Sequence, residues 1–292
     1  MTTLWLAVAA VLALLAGAAY WLLVVTEGAY LGPRVVRLLY DWGAASYDRV
    51  KQFDVVDDAR ALSVPLVKRL KGVQKPLVLD VATGTGRLPM ALLRLLEFQG
   101  EIVGLDISLG MLQQARRKAA QHDSRVVWLW KNAQELPFSD AAFDAITCLE
   151  GLEFLPRPWQ ALGEMVRVLK PGGAMLISNR RGLDATLMPG RTCGGERLRE
   201  LLGELGLECV EIKQWQTYYD LVWASKPGQT SPPDGVTEWN EVLTCPACGA
   251  DGLTRQSKDL LCQGCLRLYP VRDSIVCLEG DFLRSLSGAQ RG

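Results

Sequence analysis

The stretch from Leu77 to Gly110 constrains this chain more than any other. It opens with a short apolar run, Leu77 to Leu79, of the kind seen in strands buried on both faces of a parallel sheet. The run ends in an acidic residue, Asp80, followed by the tight loop Thr83-Gly84-Thr85-Gly86. Glycines there permit positive φ and let backbone approach a ligand closely. A second apolar strand, Ile102 to Leu105, ends in Asp106, twenty residues after Gly86. In a doubly wound α/β sheet that spacing sets a carboxylate beside the first loop, where it can accept hydrogen bonds from a ribose diol.

Two cofactor classes use such a crevice. A dinucleotide fingerprint needs a third glycine three residues after the second. Pro89 stands there, which weakens the nicotinamide reading. An acidic strand end before the glycines would repel a pyrophosphate, whereas it suits the ammonium group of S-adenosylmethionine (SAM). Ordered segments follow downstream. They are Asn132-Ala133 after the strand Val126 to Trp130, the loop Leu136 to Asp144, the fourth strand from Ile146 to Glu150, and Glu164 to Gly173 before a fifth strand.

On these residues the chain resembles the class I SAM-dependent methyltransferases, over roughly residues 40 to 225. The resemblance implies an α/β fold with a Rossmann-like, doubly wound, seven-stranded sheet. It also implies cofactor contacts from Asp80, Thr83, Gly84, Thr85, Gly86, Asp106, Ile107, Met111, Asn132, Ala133 and Glu150. Tyr47-Asp48 falls where relatives often carry a Tyr-Asp pair that closes over the cofactor. The branch most closely resembled holds the ubiquinone and menaquinone C-methyltransferases. Many relatives have histidine after the fourth strand where this chain has Phe154, which leaves Glu150 and Glu153 as the nearby candidates for a catalytic base. Glu153 reads equally well as a helix-start carboxylate. Methyl transfer from SAM is an in-line displacement at an activated carbon, so orientation can supply much of the rate and no catalytic side chain is obligatory.

Composition sets the outer limits. With 292 residues, 49% of them hydrophobic, the chain can bury a large core, which excludes a disordered polymer. Its 32 basic and 32 acidic residues cancel, giving no general attraction to a phosphate backbone, and nucleic acid is not an expected partner. The single histidine, His122, sits in the polar stretch Gln121 to Ser124, so a mechanism built on a histidine base must use it or fail. Nothing in the pattern sets an oligomeric state.

Residues Leu4 to Val25 contain no charge in 22 positions and would span about 33 Å as a helix, enough for a bilayer core. Trp5, Tyr20 and Trp21 lie near its ends, as interfacial aromatics do. A signal peptide is the rival reading, but a basic n-region is missing and the apolar run exceeds a usual h-region. The positive residues Arg34, Arg37, Arg49 and Lys51 follow the apolar segment, which predicts a single-pass anchor with the body on the cytoplasmic side. Pro33 to Lys51 shows helix-like recurrence of Val35, Val36, Leu38, Leu39 and Trp42. That pattern suits an amphipathic helix on the membrane surface or a helix capping the sheet.

The carboxyl-terminal part carries Cys245-Pro246-Ala247-Cys248 and Cys262-Gln263-Gly264-Cys265. Two such knuckles can place four thiolates round one structural Zn2+, through Cys245, Cys248, Cys262 and Cys265. Cys148, Cys193, Cys209 and Cys277 have no partner at ligand spacing. Leu268 to Val276 resembles the hairpin of the small zinc-ribbon proteins that bind and activate methyltransferases, with Ser274 and Val276 departing from the usual glycine and proline. From Glu238 onward six basic and seven acidic residues leave a net charge of −1. The expected organisation is an anchor at 1–27, a methyltransferase domain at 28–226, a linker at 227–237 and a zinc ribbon at 238–292. The function expected is methylation of a lipophilic small molecule, a quinone precursor or lipid, by a membrane-held enzyme. The rivals are an RNA or protein methyltransferase that uses the ribbon for recognition, and a non-catalytic SAM-binding scaffold.

Overall fold

Among the described residues the central sheet has nine strands, the seven expected of the methyltransferase sheet and two from the cysteine-rich tail, in the spatial order 271–272, 275–277, 126–130, 101–106, 77–81, 143–148, 169–180, 219–225 and 208–214. The computed structural model describes residues 1–122, 124–229 and 238–279 and the backbone of 284–285. The expected linker therefore lies outside the described residues from position 230 to its end.

Helix α1 (Thr2–Tyr20) continues through a π-helical turn to Val25, and none of its residues is buried. Thr2–Val25 is long and apolar enough to cross a membrane by length and composition. Four helices follow, α2 (Pro33–Gly43), α3 (Tyr47–Lys51), α4 (Val55–Asp58) and α5 (Val64–Arg69). The alternating unit then begins with β1 (Leu77–Val81), α6 (Arg87–Leu93), β2 (Glu101–Asp106), α7 (Leu109–Ala119) and β3 (Val126–Trp130). It continues with β4 (Phe143–Cys148), α8 (Pro158–Val168), β5 (Leu169–Arg180), α9 (Gly182–Thr186), α10 (Gly195–Glu204), β6 (Glu208–Gln214) and β7 (Tyr219–Ser225).

Every residue of β1 and of β4 is buried, which is why the apolar runs read as parallel strands covered on both faces. The parallel register pairs Leu79 with Val103 on one side and with Ile146 on the other. Asp80 and Asp106 thus end adjacent strands at the same edge of the sheet, where the strand order reverses. Local signals agree. Ser108 caps α7 by accepting the Met111 N–H at 3.1 Å, and Pro158 occupies the first turn of α8. β6 and β7 close the other end as antiparallel strands.

The two additional strands come from the cysteine-rich tail. It contains α11 (Trp239–Val242), β8 (Leu253–Gln256), β9 (Asp259–Cys262), β10 (Arg267–Tyr269), β11 (Val271–Arg272), β12 (Ile275–Cys277) and β13 (Arg284–Ser285). Strands β8, β9, β10 and β13 form their own antiparallel sheet. Strand β12 runs parallel to β3, with Ile275 opposite Trp128 and Cys277 opposite Trp130. That pairing satisfies the backbone of a strand that would otherwise be an exposed edge. Cys277, which had no ligand partner in the sequence, is buried in this seam. Val242, Leu243, Leu253 and Tyr269 join the same apolar core as Leu79, Ile146 and Met165. The tail thus meets the body through β12 and through these core residues.

Candidate active site

A crevice opens at the carboxyl ends of β1, β2 and β4. Asp80, Thr83, Gly84, Thr85, Asp106, Ile107, Asn132, Ala133 and Glu150 line it, bringing together nine of the sequence-expected cofactor residues. Gly86 and Met111 lie behind that wall. Gly86 has φ +80°, and a Cβ there would stand 3.2 Å from both Ala115 and the Trp128 ring. Its small size lets the loop pack on α7 and β3. Met111 is buried beneath the loop in α7. Gly84 differs, with φ +55° and no atom within 4 Å of its Cβ direction, so its backbone faces open crevice.

The acidic strand ends are held by short hydrogen bonds. Asp80 accepts from Thr147 Oγ1 and from Thr83 Oγ1, both at 2.6 Å. Asp106 accepts the N–H groups of Gly84 and Ser108, both at 2.8 Å. Burial pushes both carboxyls up to about 6, against the pull of those hydrogen bonds. A positively charged ligand would relieve that cost. Two buried acids beside an open glycine loop therefore fit the ammonium and ribose of SAM.

Glu150 stands on the crevice wall with φ +50°, and its carboxylate is fully engaged. Arg87 Nη1 and Lys51 Nζ each reach it at 2.7 Å. Glu153 is only 2% exposed, accepts from Tyr219 Oη at 2.6 Å, and does not line the crevice. Burial raises its carboxyl. Of the two base candidates, one is neutralised by two cations and the other is withdrawn into the core. His122 lies in a short turn after α7, outside the crevice lining.

Several lining residues were not named from the sequence. Tyr40, Phe53, Arg87 and Lys131 join the wall; Tyr47, which the sequence did single out, also lines it, and its neighbour Asp48 accepts from Thr85 Oγ1. Arg87 bridges Asp58 at 2.6 Å and Glu150, with its guanidinium 4.4 Å from the Phe53 ring centroid and 4.5 Å from that of Trp215. The residue directly after Gly86 was a readable signal, since a cation there faces the strand ends. Apolar residues Val36, Phe154, Leu155 and Pro156 also line the crevice, and Val36 and Phe154 belong to one apolar cluster. Phe154 meets Tyr40 edge-on at 6.0 Å.

The four knuckle cysteines converge. Their Sγ atoms all lie within 4.8 Å of one another, with Cys245–Cys265 at 3.7 Å and Cys248–Cys262 at 3.6 Å. A tetrahedral ion with Zn–S bonds of about 2.3 Å requires sulfur–sulfur edges of about 3.8 Å. The donor set therefore fits one four-coordinate zinc. Tyr269 Oη lies 3.0 Å from Cys245 Sγ and can donate to a thiolate from outside the tetrahedron.

The family profile described as a methyltransferase domain matches residues 78–173. A demethylmenaquinone methyltransferase of Lactiplantibacillus plantarum is 38% identical over 143 residues, 48% of this chain and 60% of that protein. The ubiquinone/menaquinone biosynthesis C-methyltransferase UbiE of Proteus mirabilis is 44% identical over 102 residues, 34% of this chain and 41% of that protein. The matched region thus spans about half the length of these curated relatives. Among solved structures, the [4+2]-cyclase SpnF aligns with a TM-score of 0.57 at 20% identity, over 68% of this chain and 97% of SpnF. A complex between the Haloferax volcanii Trm112 methyltransferase activator and a methyltransferase aligns at 0.53 with 21% identity, over 65% of this chain and 98% of that chain. At such identities the likeness is one of fold, and the presence of a cyclase among these structures shows that the fold alone does not set the chemistry. Residues 78–173 thus match a methyltransferase domain, on a Rossmann-like sheet, and are similar in sequence to the demethylmenaquinone and ubiquinone/menaquinone methyltransferases.

Proposed function

We propose that the protein transfers a methyl group from SAM to a lipophilic small molecule of the quinone-precursor type, and that Thr2–Val25 holds it at a membrane with the body on the cytoplasmic side. The observation that carries this reading is the polarity of the crevice. Its lining combines acidic and hydrogen-bonding groups, Asp80, Asp106 and Thr83, with apolar ones, Val36, Phe154 and Pro156. Val36 and Phe154 belong to one cluster with Ala29 and Met188, which joins the crevice to the chain just after the anchor. Sequence relatives named for menaquinone and ubiquinone biosynthesis support the same substrate class.

SAM, when bound, supplies a methyl group already activated on a sulfonium. The residues of this chain bind and orient. Asp80 would take the cationic end, Asp106 the ribose diol, and the Asn132-Ala133 segment the adenine. Gly84 leaves room for the ligand against its backbone. The ion pairs of Glu150 with Arg87 and Lys51 hold the wall after β4 against the α3 and α6 ends. With no unpaired base on the wall among Glu150, Glu153 and His122, acceleration rests on alignment in a partly dry crevice. The four cysteines would hold a closed structural zinc with no open coordination position.

Deleting the gene and profiling lipids and quinones tests the reading. A demethylated quinone or lipid should accumulate, with its methylated product lost. An unchanged lipid and quinone profile, with under-methylated RNA or protein instead, would overturn the substrate class.

A further inference from the structure

Helix α2 has two faces, and only one is accounted for by the crevice. Pro33, Val36 and Tyr40 point to the crevice, while Asp41 holds α7 by accepting from Ser108 Oγ at 2.6 Å and from the Gly110 N–H at 2.9 Å. On the helical arc beside these, Val35 and Leu39 pack on the turn that follows the anchor. A Cβ at Gly28 would meet Val35 Cγ1 at 2.9 Å and Leu39 Cδ1 at 3.1 Å. The Gly28 N–H in turn bonds the Leu22 carbonyl at 2.8 Å, inside the last turns of the anchor. Leu38 and Trp42 lie three residues beyond Val35 and Leu39, so they continue the same apolar arc outward from the foot of the anchor. Among the described residues Leu38 is 61% and Trp42 88% exposed.

A second segment meets the same foot. Trp21 Nε1 donates to the Leu187 carbonyl at 3.1 Å, Trp21 stacks on Tyr30 at 5.0 Å, and Tyr30 Oη donates to the Pro189 carbonyl at 2.7 Å. The α9 region fixed in this way exposes Leu183 and Leu187. Arg34, in α2, and Arg49, in α3, are exposed and make no ion pair among the described residues.

An exposed tryptophan in an apolar arc that begins at a spanning helix and is flanked by free arginines matches an interfacial segment facing anionic headgroups. We propose that the outer face of α2, with Leu183 and Leu187, rests in the headgroup–acyl boundary of the bilayer that holds the anchor. The methyl acceptor then enters from the membrane, past the cluster of Ala29, Val36 and Phe154. The entry route rests on the function proposed above; the lipid contact does not.

Full-length protein reconstituted in vesicles of phosphatidylglycerol and phosphatidylcholine tests both. The difference in tryptophan emission between wild type and Trp42→Phe isolates Trp42. Its emission should be blue-shifted and quenched by lipids spin-labelled near the headgroup. A red-shifted, unquenched Trp42 overturns the lipid contact and leaves the face to a protein partner. Leu38→Glu with Trp42→Glu should raise KM for a vesicle-embedded demethylated quinol severalfold, without altering KM for a water-soluble short-chain analogue or the SAM Kd. Equal KM values in variant and wild type overturn the entry route. Absence of methyl transfer to either acceptor by wild type overturns the proposed function, while the quenching result still decides the contact.

Discussion

The carboxylate of Glu279, in the cysteine-rich tail, accepts the backbone N–H of Asn132 at 2.6 Å. Asn132 lies in the crevice wall, so a residue 147 positions away in sequence holds the loop expected to contact adenine. Leaving that N–H without its partner costs about 1–2 kcal/mol. Glu279→Ala should therefore weaken SAM binding about 10-fold by calorimetry, and Glu279→Gln, which keeps an acceptor, should lose less. Wild-type affinity in both would show that the contact does not shape the site.

The tail and the body share one sheet, so they should not unfold independently. Removing zinc with a chelator, or replacing Cys262 by Ser, should free the ribbon. It should also strip β12 from β3 and expose the Trp128 and Trp130 strand. The expected result is a lower Tm for the whole molecule in differential scanning calorimetry. Ile275→Ala, which removes a fully buried side chain from that seam, should cost about 2–5 kcal/mol with zinc retained. Elemental analysis of the purified protein should give one zinc per chain.

The strands and the crevice were legible because their signals are local. Leu77 to Leu79 and Val126 to Trp130 are buried on both faces, and the loop between Asp80 and Gly86 needs its glycines for backbone reasons visible in the sequence. The ninth-strand seam was not legible. Ile275-Val276-Cys277 is three residues long, and its partner in β3 lies about 147 positions away, so no periodicity announces the pairing. Tyr40 and Phe53 reach the crevice only through the packing of the amino-terminal segment, which local pattern does not encode. Within Pro33 to Lys51, the helix Pro33–Gly43 shows why its apolar recurrence did not point to one face. Its inner face caps the crevice, and Leu38 and Trp42 lie outside.

Gly84 and Gly86, two positions apart, differ in role and should separate by mutation. Gly84→Val puts a side chain into open crevice and should abolish SAM binding while the fold persists. Gly86→Val drives a side chain into Ala115 and Trp128, at a cost of about 1–3 kcal/mol for overpacking. Left-handed backbone adds about 1–2 kcal/mol at either position. The Gly86 variant should therefore show the larger fall in Tm. Equal falls would place both glycines in the same packing role.

Binding should depend on pH through Asp80 and Asp106. Both stand at about 6 in the folded protein, up from 3.8, chiefly through burial. The cationic ligand favours their ionised forms, so SAM affinity should fall as pH drops through 6, with proton release on binding near that pH. Unliganded protein should behave oppositely. Groups with raised folded pKa values stabilise below the unfolded value and lose that contribution as pH rises from about 4 to 6. Asp80→Asn should flatten the binding profile, as read by calorimetry in buffers of different ionisation enthalpy.

Methyl transfer itself is the central claim, and one measurement addresses it. Full-length protein in vesicles containing a demethylated quinol is incubated with SAM labelled in its methyl group, and the label is followed into the organic extract. Label should appear in the methylated quinol and vanish in Asp80→Ala. Label that stays in the aqueous phase, with SAM bound but unconsumed in the presence of the acceptor, would contradict the account.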